Sequence, residues 1–111
     1  MIARSWTAEA SPDGARRYVQ HFRQKVLPVI SAIEGQRGAY VLERSLSEDE
    51  GAEIVELRII TLWESMDAVR KFAGDDPDVA VVTAEARAIL SRFDEQVAHY
   101  EVILSPQSLP L

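Results

Sequence analysis

The apolar residues between Asp13 and Ile33 recur every three or four positions, which predicts an amphipathic helix with one buried stripe. The stripe consists of Ala15, Tyr18, Val19, Phe22, Val26, Val29, Ile30 and Ile33. Pro28 lies inside this stripe, and a proline removes a backbone donor from a helix. We therefore expect a kink or an end near Leu27, followed by a further turn over residues 29–33.

Helix-capping residues mark where the helices begin and end. Ser11 is a candidate N-cap, and Pro12 suits the first helical position. Ser65 caps a second, short helix that ends at Gly74, and Thr83 caps a third helix over residues 84–93. The inward residues of these two helices are Val69, Phe72 and Ala73, then Ala86, Ile89, Leu90 and Phe93.

Four segments rich in β-forming residues predict strands over 2–8, 37–46, 52–63 and 96–104. The charged stretch "SEDEG" at 47–51 predicts a hairpin loop between the second and third strands. Elements in the order β-α-β-β-α-(α)-β predict the ferredoxin-like α+β fold. In this fold a four-stranded antiparallel sheet carries its helices on one face.

The third strand is apolar on both faces, although the chain has helices for only one face of the sheet. One face carries Val55, Leu57, Ile59 and Trp63; the other carries Ile54, Ile60 and Leu62 together with Glu56 and Arg58. A strand that is apolar on both sides is covered on both sides. We therefore predict a homodimer whose sheets face each other. Glu56 and Arg58, with Glu43 and Arg44 of the neighbouring strand, are predicted to form an ion-pair network across that interface.

The composition of the 111-residue chain predicts one compact domain and excludes several classes of partner. We assign residues 1–104 to the domain and 105–111 to a tail that is either frayed or laid across a partner. The net charge of −6 argues against nucleic acid and anionic membranes as partners. With no cysteine, signal peptide or membrane span in the sequence, we expect a cytoplasmic protein.

Three acids, Asp75, Asp76 and Asp78, surround Pro77 directly after the second helix. They could ligate a metal, but they lack the spacing of a calcium-binding loop. Asp and Pro after a helix are ordinary turn chemistry. We therefore interpret them as a turn and predict no metal site.

Three short stretches of the sequence resemble the antibiotic biosynthesis monooxygenase-like family of the dimeric α/β barrel superfamily. They are Leu-Trp-Glu-Ser at 62–65, Phe-Ala-Gly-Asp-Asp-Pro at 72–77 and His-Tyr-Glu-Val at 99–102. The resemblance implies a homodimeric barrel with a small-molecule pocket between sheet and helices in each subunit. The resemblance does not imply a single activity, because the family covers several: some relatives oxidise polycyclic aromatics or quinols with O₂ and no cofactor, and others bind and degrade haem.

The haem-degrading relatives are implied to use an Asn on the first strand, a Trp late in the second helix and an axial His soon after it. This chain has Trp6 on the first strand and no Asn, and Phe72 stands at the helix position. Residues 78–86 contain no His. We therefore expect that the protein does not degrade haem and that it uses no other cofactor.

Strand periodicity points to Arg4 and His99 as the candidate catalytic residues. A neutral imidazole can take a proton from a phenol or quinol, and an arginine can hold the resulting oxyanion. Arg4 shares a strand face with Trp6, and His99 shares one with Glu101. The alternative for His99 is a structural histidine paired with a Glu or Arg at the sheet–sheet interface.

Aromatic residues are the candidates for the substrate pocket. Trp6 could line it, and Tyr18 and Phe22 are core residues of which Tyr18 could reach a ligand with its hydroxyl. Trp63 is a further candidate, although a packing anchor at the strand end is the favoured interpretation. His21 lies on the margin of the helical stripe, where we expect a solvated side chain.

The family resemblance, together with Arg4, Trp6 and His99, implies a cofactor-independent monooxygenase-type enzyme that acts on a small aromatic or quinone-like compound. The alternative is a non-catalytic homodimer of the same fold that binds a small ligand or acts as a scaffold. The alternative is kept because the sequence contains no strong catalytic motif, and a fold supports many functions.

Overall fold

The computed structural model describes residues 1–46 and 53–106. Within these ranges the elements are β1 (Ile2–Ala10), α1 (Pro12–His21), a π-helical turn (Phe22–Val26), α2 (Leu27–Ser31), β2 (Gln36–Leu46), β3 (Ile54–Trp63), α3 (Met66–Ala73), α4 (Ala84–Ile89), β4 (Arg92–Phe93) and β5 (Ala98–Glu101). The predicted loop at 47–51 and all but the start of the predicted tail lie outside the described residues. None of the described helices is long and apolar enough to cross a membrane.

The strands form one antiparallel sheet in the order β2-β3-β1-β4, with β5 also paired to β1. Strand β5 pairs with residues 2–5 of β1 and β4 pairs with residues 8–9, so the two share one position at the sheet edge. This arrangement confirms the ferredoxin-like α+β fold, with five strands instead of the predicted four.

The third helix and the last strand are both shorter than predicted. Helix α4 stops before Leu90, whose backbone is extended. The chain then turns onto β1, where Ser91 N–H donates to Glu9 O at 2.9 Å and Asp94 N–H donates to Thr7 O at 3.0 Å. Phe93, predicted to be helical, therefore belongs to β4, since backbone hydrogen bonds to the sheet edge replace the last helical turn.

The core lies between the helices and one face of the sheet. Strands β1 and β3 place alternate residues on this face, and these are buried: Arg4, Trp6, Ala8 and Ala10 on β1, and Val55, Leu57, Ile59, Thr61 and Trp63 on β3. None of the described helices lies over the opposite face, where Tyr40, Leu42 and Tyr100 expose about half of their surface. The two-sided apolar pattern of β3 therefore corresponds to one buried and one open face.

Pro28 changes the helix near the predicted place, but it does not end it. The helix passes through the π-helical turn, in which Leu27 N–H donates to Phe22 O. The wider turn accommodates a proline that lacks its own donor, and it rotates the residues that follow. Val29, predicted to lie in the buried stripe, is therefore 59% exposed, whereas Ile30 is completely buried.

The predicted caps at Ser11, Ser65 and Thr83 are all present. Each side-chain oxygen accepts a backbone N–H in the first turn of its helix, from Gly14, Ala68 and Ala86 at 3.0–3.2 Å. Gly74 ends α3 with a φ of +84°, a conformation that favours glycine, as the sequence predicts.

Replacing Gly35 with Ala is expected to destabilise the fold more than replacing Gly38 with Ala. Both glycines have positive φ, +95° and +115°, so either substitution strains the backbone by about 1–3 kcal/mol. A Cβ on Gly35 would also lie 2.7 Å from the Cβ of Ala68 on α3, whereas a Cβ on Gly38 would meet nothing within 4 Å. Urea unfolding of both variants measures the difference, and equal losses would contradict the close packing of this turn against α3.

Candidate functional site

A small cavity lies between the helices and the covered face of the sheet, with a volume of about 60 Å³. Its wall combines aromatic and aliphatic side chains with a few polar groups from β1, β3, α1 and the segment before α4. Four predicted site residues line it, namely Arg4, Trp6, Tyr18 and Phe22, together with His21, Thr61, Phe72 and Thr83. Such a mainly apolar pocket with a few convergent polar groups is typical of small-molecule sites.

Arg4 lies in the middle of this arrangement and is only 5% exposed. Its Nη1 donates to Pro77 O and to His99 Nε2 at 2.9 Å, and its Nη2 donates to Val79 O at 3.2 Å. A guanidinium carries five N–H hydrogens, one of them on Nε. The Nε–H and one Nη2–H therefore have no acceptor among the described residues. Since Arg4 lines the cavity, these two N–H groups are the candidate donors to a ligand.

His99 contacts Arg4 but is not among the residues that line the cavity. A guanidinium can only donate, so His99 Nε2 must be the acceptor at 2.9 Å and its lone pair is occupied. The other ring nitrogen, Nδ1, lies 3.3 Å from Asp78 Oδ1 and carries the proton. In this arrangement His99 orients Arg4 and has no free lone pair with which to take a proton from a substrate.

All three acids are exposed, but Asp78 is more than a turn residue, since its carboxylate approaches His99. No cluster of potential metal ligands occurs in the described part of the chain. Burial lowers the pKa of Arg4, and the Asp78 carboxylate opposes that shift. Burial and the neighbouring Arg4 charge lower the pKa of His99, again against the effect of Asp78.

The lowered pKa of His99 makes stability depend on pH. Below about pH 6.5 the unfolded chain binds a proton that the folded protein resists, so stability falls as the pH drops towards the lowered pKa. As the pH falls, we therefore expect the wild-type protein to lose stability relative to the His99→Gln variant. The glutamine amide can accept a hydrogen bond from Arg4 and donate one to Asp78 at any pH. Urea unfolding between about pH 5 and 8 measures this difference. A difference that stays constant over that range would contradict the neutral His99.

Three aromatic side chains form the apolar wall of the cavity. The ring of Tyr18 lies 6.1 Å from that of Trp6 and 6.4 Å from that of Phe22, between centroids. Trp6 is held by a hydrogen bond from its Nε1–H to Asp94 O at 2.6 Å. The Tyr18 hydroxyl has no hydrogen-bond partner among the described residues, and burial raises its pKa. Tyr18 therefore remains protonated near neutral pH and can donate to a ligand.

Trp63 does not line the cavity, which corrects its place among the pocket candidates. Its side chain is completely buried and stacks on Phe72 at 5.8 Å between ring centroids. Its Nε1–H donates to Thr61 Oγ1 at 2.9 Å. Because an indole nitrogen only donates, the hydroxyl hydrogen of Thr61 stays free. Trp63 therefore supports two residues of the wall, Phe72 and Thr61.

His21, expected to be solvated, is instead 7% exposed and lines the cavity. Helix α4 covers the His21 side chain. Helix α4 can approach α1 this closely because Gly14 of α1 has no Cβ; a Cβ at that position would lie 3.0 Å from Ile89 O. His21 Nε2 lies 3.1 Å from Thr83 Oγ1, and Nδ1 lies 3.2 Å from Glu85 Oε2. The stripe periodicity placed His21 at the margin, but nothing in the sequence showed which helix would pack there.

The ion pairs on the open face differ from the predicted network. Arg44 and Glu56 form a two-pronged pair within one chain, at 3.0 and 3.1 Å, and Arg58 donates to Ser5 Oγ at 3.1 Å. Glu43 pairs in register with Leu57, whose side chain lies on the opposite, covered face. Strand alternation therefore excludes Glu43 from this cluster.

Solved structures with this fold span nearly the whole chain. A Bacillus cereus protein named as an antibiotic biosynthesis monooxygenase is 21% identical, with 94% of each chain covered and a TM-score of 0.54. MhuD, a haem degrader from Mycobacterium tuberculosis with two haems in its active site, is 18% identical. The match covers 95% of this chain and 98% of the MhuD chain, with a TM-score of 0.54. A variant of MhuD with two manganese protoporphyrins is 20% identical, with 95% of this chain and 97% of the variant's chain covered and a TM-score of 0.52.

The residues of this site do not fit haem. The Nε2 atoms of His99 and His21 are bonded to Arg4 and Thr83, so neither faces an open coordination position. No protein-family model matches the sequence, and a search of curated proteins gives no match. The chain thus has the fold of these antibiotic biosynthesis monooxygenase-like structures, as the resemblance in its sequence implies.

Proposed function

We propose that the chain is a cofactor-independent monooxygenase-type enzyme that acts on a small phenol- or quinol-like aromatic compound. One observation carries this proposal: a buried arginine that lines an aromatic-walled cavity has two N–H groups without an acceptor among the described residues. A phenol that loses its proton there gains an anionic oxygen, which a preorganised guanidinium stabilises strongly in a dry site. The activity named for the structure from Bacillus cereus supports the same class of reaction.

The other wall residues have separate parts in this proposal. Trp6 and Phe22 contact the substrate ring, while the Tyr18 hydroxyl donates a second hydrogen bond to a substrate oxygen. His99 and Asp78 position Arg4 and do not touch the substrate. This assignment replaces the expectation that His99 is the general base.

The cavity must widen to admit an aromatic compound, because about 60 Å³ is less than half of the ~150 Å³ that holds benzene in an engineered protein cavity. One wall consists of residues 80–83, which lie outside any helix or strand. Val81 in this wall is 49% exposed. We propose that residues 80–82 of this wall move outward when substrate enters, because they lie outside any helix or strand and Val81 already exposes about half of its surface.

1-Naphthol is a suitable test substrate, since its oxidation balances without a cofactor. Its anion transfers electrons to O₂, a C–O bond forms at the ring carbon opposite the hydroxyl, and the O–O bond then breaks. The products are 1,4-naphthoquinone and water, so one O₂ supplies one oxygen atom to each. The protein binds the anion, excludes bulk water and manages the protons.

A non-catalytic ligand-binding protein is the second candidate, and the small size of the cavity favours it. The two candidates differ in O₂ consumption with 1-naphthol, measured against the rate without protein. The enzyme is expected to consume one O₂ per naphthol and, with ¹⁸O₂, to place one labelled atom in the quinone. Binding of 1-naphthol without either result would contradict the enzyme and favour the binding protein.

We further propose that the chain is a homodimer joined through the open face of its sheet. Tyr40, Leu42 and Tyr100 are 56%, 47% and 59% exposed on that face in a single chain. Ile60 of β3 lies among them, opposite Tyr40 of β2 in the register. An apolar face of this kind is typical of protein–protein contacts.

A further inference from the structure

A carboxylate, an imidazole and a hydroxyl lie in sequence at the end of the cavity formed by α1 and α4. Glu85 Oε2 is 3.2 Å from His21 Nδ1, and His21 Nε2 is 3.1 Å from Thr83 Oγ1. His21 and Thr83 line the cavity, whereas the Glu85 side chain is 67% exposed to solvent. The imidazole thus connects a cavity hydroxyl to a carboxylate in water.

The hydrogen bonds of Thr83 determine which way protons can pass. A hydroxyl has one hydrogen to donate and two lone pairs to accept. One lone pair of Thr83 accepts Ala86 N–H at 3.1 Å as the cap of α4. If the hydroxyl donates to His21 Nε2, one lone pair remains for a ligand O–H in the cavity.

The environment of His21 favours this direction. His21 Nδ1 is buried and has no aligned hydrogen-bond partner, although the Glu85 carboxylate lies within ion-pair distance. A lone pair on Nδ1 would be repelled by that carboxylate, whereas an N–H there is attracted to it. Nδ1 therefore carries the hydrogen, and Nε2 is free to accept the proton of Thr83.

We propose that Thr83 and His21, backed by Glu85, form a relay that removes the hydroxyl proton of a phenol bound in the cavity. This inference rests on the proposed function, since it assumes a phenol-type substrate. The phenol O–H breaks as Thr83 Oγ takes its proton, and the former Thr83 proton passes to His21 Nε2. The phenolate remains beside Arg4, and the imidazolium charge faces Glu85. No electron is transferred in this step.

The relay supplies the base that His99 cannot provide. The lone pair of His99 Nε2 is occupied by Arg4, and the ring does not line the cavity. Thr83 is then the catalytic residue that touches the substrate, while His21 acts through it. General bases of this kind accelerate reactions by about 10²- to 10⁴-fold.

Nitrogen NMR of the two histidines tests the relay with 4-nitrophenol as the probe, in the absence of any oxidation. The chain has only His21 and His99, so His99→Gln assigns both rings in a ¹⁵N-histidine sample. At a pH where His21 is neutral in the free protein, binding of the probe is expected to give His21 the imidazolium pattern. The visible absorbance of 4-nitrophenolate reports the ionised fraction in the same sample.

Two substitutions at Thr83 separate the relay from the helix cap. Thr83→Asn keeps an oxygen that accepts Ala86 N–H but cannot pass on a proton, whereas Thr83→Ser keeps both functions. We expect Thr83→Asn and His21→Gln to slow turnover of 1-naphthol by at least about 10²-fold with little change in KM. Thr83→Ser should retain most of the wild-type kcat.

The outcomes distinguish this inference from the proposed function. A bound, ionised probe with His21 still neutral, or no binding of the probe, would overturn the relay, even if 1-naphthol is oxidised. Equal turnover by Thr83→Asn and Thr83→Ser would also overturn it. Protonation of His21 without any O₂ consumption by the protein would support the relay and contradict the monooxygenase.

Discussion

Replacing Arg4 with Lys is expected to lower kcat/KM for 1-naphthol by about 10²- to 10³-fold while the protein stays folded. A lysine ammonium carries three hydrogens, and three partners already surround Arg4, namely Pro77 O, Val79 O and His99 Nε2. Lysine could satisfy these partners but would have no donor left for the substrate. Steady-state O₂ consumption measures the loss, and urea unfolding checks that the variant is folded.

Arg16→Gln is the matched control, because the Arg16 side chain is 72% exposed and, among the described residues, pairs only with Asp13 of the same helix turn. Such exposed pairs contribute little, so this variant should keep wild-type kinetics and stability. Wild-type turnover by Arg4→Lys would contradict the claim that the two unused N–H groups of Arg4 bind the substrate oxygen.

Replacing Ile60 with Asp is expected to break the proposed homodimer or unfold the chain. Ile60 lies in the middle of the open sheet face, between Ser5 of β1 and Tyr40 of β2. A carboxylate buried there without a partner would cost several kcal/mol. Light scattering at micromolar concentration should give a dimer for wild type and a monomer for the variant.

Two further substitutions make this result interpretable. Leu42→Lys changes a residue that is 47% exposed in one chain, so it should weaken the dimer without unfolding the subunit. Val29→Asp places the same charge on the exposed helix surface, at a residue 59% exposed, and should leave the dimer intact. A monomeric wild type, or an Ile60→Asp variant still dimeric and equally stable, would contradict the proposed interface.

Local sequence rules predicted much of the fold, because capping and strand alternation depend on neighbouring residues. Ser11, Ser65 and Thr83 cap their helices, and Arg4 and Trp6 share the covered face of β1. The end of α4 was missed because hydrogen bonds to β1 compete with the helix there, and those bonds join residues distant in sequence.

The candidate site was predicted less completely, since its contacts depend on how elements pack. Strand alternation identified Arg4, but the register of β5 on β1 decides that His99 binds it. His21 is buried because α4 lies over α1. The helical periodicity of α1 alone cannot predict where another helix packs. Trp63 was kept as a pocket candidate although a packing anchor at the strand end was favoured, and its ring does pack, by stacking on Phe72.

A crystal structure of the protein with 1-naphthol, prepared without oxygen, tests the central claim most directly. We expect the naphthol ring to lie in the widened cavity between Trp6 and Phe22. Its oxygen should lie about 2.7–3.2 Å from Nε or Nη2 of Arg4, with Thr83 Oγ1 on its other side. Naphthol bound elsewhere, or in the cavity with its oxygen turned away from Arg4, would contradict the account.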